Sequence, residues 1–385
     1  MPAPPIARSG GSTLCSAQIP RFETGDNVQI DGVTISREEL RLRESAYRNS
    51  HAKLRARDLA SQLKVPEAAL LEARLDATDR GTIVERLAAN FADDAHFRGL
   101  LARLHEVGEV MALTRNEACV HEKHGSYSRP EFYGAMGQIV GEIDLRLFTQ
   151  HWSYGYVVRE PLENGKVRHS LQFFDASGTA IHKIYATKAT DTEAYHRLVS
   201  SATDAEPSAA AFTKLSSASA PADDEEIDVA GFQAAWEKLE HSHDFFGLLK
   251  TFGVQRLQAM RLVGAGFARP IEASRLEALL KHCAETLIPL MVFVGNSGCV
   301  QIHSGPVESI DPMGPWLNVL DPRFNLHLRT DKIAHAFVVR KPSTKGDVHS
   351  IELFASDGEL IAQVFGERKP GETERDDWRS NVQQL

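Results

Sequence analysis

The chain has 385 residues and a formal net charge of −9, with 43 Lys+Arg against 52 Asp+Glu. Apolar residues make up 42% and charged residues 25%; this excludes a disordered or fibrous chain, supports two to three domains, and argues against a protein coated in nucleic acid. No apolar run reaches the roughly 20 residues of a membrane-spanning helix, and four scattered cysteines without CxxC spacing exclude a disulfide scaffold and a structural zinc site and fit a reducing cytoplasm.

Taken in chain order, residues 1–36 begin MPAPPIARSGGSTLCSAQIP, which lacks the apolar core of a secretory signal and reads as a disordered tail. Residues 55–76, RARDLASQLKVPEAALLEARLD, have helix-turn-helix spacing with Leu63, Val65 and Leu70 as turn core. Basic residues are few after Lys64, where a DNA-reading helix needs them. The expectation is therefore a helical hairpin on a sheet, with no nucleic-acid partner. A helix is predicted over 93–107 and short strands after it, such as 109–114. His121-Glu-Lys-His124 lacks the HExxH spacing of a metalloprotease. Cys119 and Cys299 read as small core residues.

The chain contains itself twice. SLQFFDASG at 170–178 matches SIELFASDG at 350–358, and YVVREP at 156–161 matches FVVRKP at 337–342. Cys119-Val120 aligns with Cys299-Val300, and each copy ends in a polar helix, over 190–200 and 371–383. This reads as a duplicated unit. Residues 203–226, rich in Ser, Ala and Pro and ending in acid, read as the linker. The expected organisation is thus 1–36 tail, 37–202 first repeat, 203–226 linker and 227–385 second repeat. In the second copy, 274–286 reads as a helix, and 290–294 and 334–339 as strands. Strands joined by short turns with segregated helices predict an α+β class with antiparallel sheets. Neither GxGxxG nor GxxxxGK[ST] occurs, which removes nucleotide-dependent chemistry.

Residues 226–252 carry Phe232, Trp236, Leu239, His243 and Phe246 at alternating spacings of four and three, one face of a helix. His243 in that stripe has two readings. One is a partly buried residue bonded to a backbone carbonyl. The other is an axial ligand for a flat apolar cofactor, with Phe245 and Phe246 beside haem iron. Haem propionates need cations, for which Arg256, Lys341 and Arg368 stand at element boundaries; their alternative is solvated surface charge.

These residues resemble a known family. HDFF at 243–246, DLRLF at 144–148, MVFVGN at 291–296, GCVQIH at 298–303, WLNVL at 316–320 and SIELF at 350–354 are similar to the bacterial hemin-degrading factors, the HemS/HmuS-type haem transport proteins, over roughly residues 40–385. The resemblance implies two similar tandem halves, each a large antiparallel sheet with flanking helices, and a haem cleft between them. It places the proximal iron ligand on His243 and the distal arginine on Arg146. Propionate and nearby polar contacts fall on Arg256, Lys341, Gln363 and Arg368, and aromatic walls on Phe148, Phe246 and Phe293. Phe365 stands where the family has a tyrosine, so one hydroxyl contact is lost. His241 is expected to face solvent, since i and i+2 do not share a helix face. The implied role is a cytoplasmic protein of haem-iron acquisition that receives imported haem and degrades it oxidatively with an external electron donor, Arg146 serving the reaction. The alternative is a haem chaperone delivering to an oxygenase; a DNA-binding regulator is the least favoured reading. Implied partners are haem, an inner-membrane haem importer, a haem oxygenase or reductase, and a second copy of the chain.

Overall fold

The computed structural model describes residues 26–51, 54–75, 77, 81–89, 96–204, 207–214, 221–241, 244–369 and 371–385. Two nine-stranded antiparallel sheets dominate the chain, with helices at their margins and outer faces. This is the α+β arrangement expected from strands that follow one another by tight turns. The element order of residues 83–202 recurs in residues 268–383, strand for strand. Helix Ser274–Thr286 has the predicted bounds. The helix predicted over 93–107 is shorter, Arg98–Arg103 followed by a 3-10 turn at Leu104–Val107; residues 93–95 of that prediction lie outside the described residues.

The two sheets do not coincide with the two repeats. Strands Glu131–Tyr133, Met136–Ile139 and Asp144–Phe148 belong to the first repeat by sequence, yet they extend the second repeat's sheet. Strands Ile310–Met313, Trp316–Asp321 and Phe324–Arg329 make the reciprocal move. Asp144–Phe148 pairs with Cys299–Gly305, and Phe324–Arg329 pairs with Cys119–Ser126. Equivalent asparagines tie the turns together. The Asn116 amide donates to the carbonyls of Gly295 and Ile361, and the Asn296 amide to those of Arg115 and Ile181. Trp152 is fully buried and its indole N–H donates to Gly298 O at 2.8 Å. Cys119, Cys283 and Cys299 are free thiols in the core; Cys15 lies outside the described residues.

Three further segments differ from expectation. Residues 27–36, read as part of the tail, form a hairpin of Asn27–Ile30 and Val33–Ser36, with Val28 buried. Within the predicted linker, Ala211–Phe212 pairs in parallel with Asn27–Ile30 and buries Phe212. Composition missed both because each segment contributes a single buried side chain, Val28 or Phe212. Residues 226–252 are not one helix: helix Val229–Glu237 ends at Lys238, and a second, Asp244–Phe252, begins after it. Asp228 caps the first, its carboxylate accepting Gly231 N–H. The Asp244 carboxylate accepts the N–H of His241. The restart changes the phase of the apolar face. Phe232, Trp236, Leu239 and Phe245 are buried, whereas Phe246 is 66% exposed.

Residues 56–72 form the expected helical hairpin, Ala56–Leu63 and Glu67–Glu72. Five of the six residues of the second helix are buried, leaving no face with which to read DNA. No described helix is long and apolar enough to cross a membrane.

Candidate functional site

The second repeat's sheet has one face in the core and one outside it. In Asp144–Phe148, buried and half-buried residues alternate, with Leu145 and Leu147 inward and Asp144, Arg146 and Phe148 outward. Leu290–Gly295 alternates likewise, with Phe293 outward. Register partners in a sheet share a face, so the outer face can be followed strand by strand. Asp144 pairs with Ile302, Ile302 with Phe293, Phe293 with Gln363, and Gln363 with Glu352. Asp144 and Glu352 are therefore four strand spacings apart, about 19 Å. Phe365 lies on the same face between Ser350 and Met291, and its ring meets that of Phe293 edge-on at 5.1 Å.

Helices Val229–Glu237, Asp244–Phe252 and Arg256–Leu262 cover the far end of this face. Phe232, Trp236, Phe245 and Met260 pack on Phe337, Val339 and Phe354. Gly253, at φ +65°, makes the turn between the last two helices, a left-handed position that glycine adopts without strain. Where this cover stops, a polar cluster begins, centred on Glu352. The Glu352 carboxylate is fully buried. It accepts Arg256 Nε at 2.8 Å, Gln363 Nε2 at 3.0 Å and the Lys341 ammonium. Burial alone would raise its pKa, but Arg256 and Lys341 more than offset that and hold it below the usual carboxylate range. Burial lowers the pKa of Lys341 despite this partner. The Arg256 guanidinium lies 5.1 Å and 5.7 Å from the ring centres of Phe245 and Phe246, within cation–π range.

At the opposite end, Arg146 is half-buried and its guanidinium is paired with Asp144. Burial raises the Asp144 pKa, with Arg146 opposing the shift. Asp144 also lines a polar cavity of about 230 Å³, together with Lys123, Glu142, Ser304 and Arg323.

Of the residues selected from sequence, Arg146, Phe148, Phe293 and Gln363 stand on this one face, while Arg256 and Phe246 reach it from the helices. Lys341 belongs to the same cluster but is 4% exposed, with its charge engaged by Glu352. Phe148 sits at the end of its strand, opposite Met136. Arg368 is half-buried, two residues beyond strand Leu360–Gly366. His241 is exposed, as expected. His243 lies outside the described residues, immediately before helix Asp244–Phe252 in sequence. Glu352 was missed as a site residue. Its signal was the pairing of Glu352 with Gln172 in the repeat: an acid and an amide at equivalent positions on buried strands. Among the described residues no cluster of three or more His, Cys, Asp or Glu could hold a bare metal ion.

The face suits a flat, mostly apolar ligand that carries acidic groups. Met291, Phe293 and Phe365, half-buried on two neighbouring strands, offer an apolar floor, and Arg146 and Arg256 stand at the two ends of the face. Such a floor with a few placed polar groups is the usual make-up of a cofactor-sized site.

The model of the haemin-degrading HemS.ChuX domain matches residues 64–202 and 253–385. The hemin transport protein HmuS of Yersinia pestis is 39% identical over 335 residues, covering 86% of this chain and 92% of that protein. Among solved structures, the haem-bound form of PhuS, a heme-binding protein of Pseudomonas aeruginosa, is 42% identical with a TM-score of 0.86, covering 91% of this chain and 99% of that one. ChuS, a heme-degrading enzyme of Escherichia coli O157:H7, is 35% identical with a TM-score of 0.82, at the same coverages. The chain belongs to the haemin-degrading HemS.ChuX domain family.

Proposed function

We propose that this protein binds haem on the outer face of the second repeat's sheet and opens its ring oxidatively, releasing iron for the cell that imported it. The observation that carries the reading is the face itself: four strand spacings across, with Met291, Phe293 and Phe365 at its centre, Arg146 at one end and Arg256 at the other. In this reading His243 supplies the axial ligand. Arg146 stands over the opposite side of the bound macrocycle as a hydrogen-bond donor and positive charge. Arg256, Arg368 and Gln363 receive the propionates, Lys341 acts through Glu352, and Phe148, Phe246 and Phe293 form the walls. Haem brings the redox chemistry, while the chain's residues bind, orient and exclude water. Electrons come from an external donor, since the sequence carries no flavin or nicotinamide motif. The cytoplasm is the setting, with an inner-membrane importer upstream and a reductase beside it.

A carrier role has its own support. The distal arginine is neutralised by Asp144, as suits a site that holds haem without driving its chemistry, and the Yersinia relative is named for transport. Titration with hemin, read by absorbance, tests the shared part. Wild type is expected to bind one equivalent with a histidine-ligated spectrum, and His243→Ala to change that spectrum; equal uptake by both would overturn the site. Reductant with and without catalase then separates the roles. Ring-opened product that survives catalase marks the enzyme, and product that disappears marks a carrier.

A further inference from the structure

The geometry points to Glu352 as the positioning residue for carboxylate recognition: it fixes Arg256 so that the two terminal amino groups of the guanidinium are left for an acidic group of the ligand. This rests on the haem reading above and adds a residue to it. Glu352 takes Arg256 through Nε, and among the described residues the terminal nitrogens of Arg256 make no hydrogen bond within the protein. The guanidinium carbon lies 5.1 Å from the ring centre of Phe245 and 5.7 Å from that of Phe246, so two aromatic rings pack beside the group that Glu352 holds. Lys341 and Gln363 hold the carboxylate in turn. Two cations share one acid, so the cluster keeps a positive charge of one at the margin of the ligand face. A carboxylate completes that balance.

The first repeat shows that this is not a generic staple between helix and sheet. Lys64 at φ +54° and Gly253 at φ +65° make equivalent turns, and three residues after each stands the first residue of the next helix, Glu67 or Arg256. Gln172 pairs with Lys183 as Glu352 pairs with Gln363. Glu67 is bound by Lys183 and Arg115. The first repeat thus has its acid on the helix and both bases on the sheet, whereas the second has its acid on the sheet, with one base, Arg256, on the helix and the other, Lys341, on the sheet. Only the second arrangement places a guanidinium, rather than a carboxylate, at the helix start.

The test compares hemin with hemin dimethyl ester, which keeps iron and macrocycle and removes both acids. Wild type is expected to prefer hemin by about tenfold, the range of a charge-assisted hydrogen bond. The preference should fall toward unity in Arg256→Lys, which keeps the charge but has no paired amino groups. It should fall likewise in the charge-balanced double variant Lys341→Gln/Glu352→Gln, which removes the anchor and keeps the cluster's net charge, and whose fold circular dichroism verifies. The Soret maximum of bound hemin should stay at the wild-type position throughout, a result that a collapsed pocket would not give. A wild-type preference retained in the double variant, or in Arg256→Lys, overturns the assignment while leaving haem binding intact. Equal wild-type affinity for the two porphyrins does the same. Failure of wild type to take up either overturns the haem reading and this inference with it.

Discussion

Arg146 and Val300 are register partners across the junction between a strand of the first repeat and a strand of the second. His327 and Val120 are the same pair with the repeats exchanged. The arginine that faces the candidate site therefore arrives only because the two repeats swap three strands each. A chain of residues 227–385 alone would leave the edge of Cys299–Gly305 bare, and an unpaired edge seeks a partner strand. Its own Phe324–Arg329 segment, given by a second copy, fills that place by the pairing seen here. The separate second repeat is expected to run as a strand-exchanged dimer in size-exclusion chromatography with light scattering, with His327 where Arg146 now stands. A stable monomer would contradict this.

Arg146→Leu removes the partner of a half-buried acid. Burial already raises the Asp144 pKa, and Arg146 opposes the shift, so the carboxyl should titrate at still higher pH in the variant. A raised pKa in the folded state stabilises the fold below the unfolded value and loses that contribution as pH rises through the folded value. The stability deficit of Arg146→Leu should therefore be small near pH 4 and grow toward pH 7, to about 1 kcal/mol given the partial exposure of the pair. Urea denaturation across that range, with carboxyl carbon NMR of Asp144, measures it. A deficit independent of pH would show that the ion pair does not control the acid.

Trp236 anchors the helices that bound the site. It is fully buried, lies edge-on to Phe232 and Phe245, and its indole N–H donates to Arg340 O at 3.1 Å. Trp236→Ala should cost about 3–5 kcal/mol by cavity formation and loosen Phe245 beneath Arg256, so hemin affinity should fall together with stability. Denaturant melts and hemin titration on the same preparation check both. Unchanged affinity in a clearly destabilised variant would mean that the helices do not shape the site.

The repeat, the strands and helix Ser274–Thr286 were legible because alternation and matched strings are local signals. The strand exchange was not: a segment at a fixed sequence offset carries no mark of which of two similar sheets it will join. Of the candidate site, the residue types were legible: Arg146, Phe293 and Gln363 lie along one face, and Arg256 reaches its far end from a helix. The stripe through Phe246 misled because five residues matched a helical period across a break that propensity alone does not reveal, and the restart at Asp244 turned Phe245 inward in its place. Glu352 stayed hidden inside the string used to recognise the repeat; an acid between apolar neighbours on a strand reads as surface until two distant cations are shown to converge on it.

That convergence also fixes a pH dependence. The Glu352 pKa is depressed in the folded protein, while the unfolded chain titrates near the ordinary glutamate value of about 4.3. As pH falls through that value the unfolded state takes up a proton that the folded state refuses, so stability is lost in acid, at about 1.4 kcal/mol for each pH unit. Lys341, whose pKa burial lowers, is removed in the same variant as Glu352. Glu67 is depressed in the same direction by its own partners, but it is common to wild type and variant and cancels in their difference. Between pH 5 and 3 the urea midpoint of wild type should therefore fall more steeply than that of Lys341→Gln/Glu352→Gln. Parallel profiles would mean that Glu352 titrates in the folded protein as it does in the unfolded chain, so that Arg256 and Lys341 do not hold its charge; a wild-type profile shallower than the variant's would mean that Glu352 is protonated in the folded state.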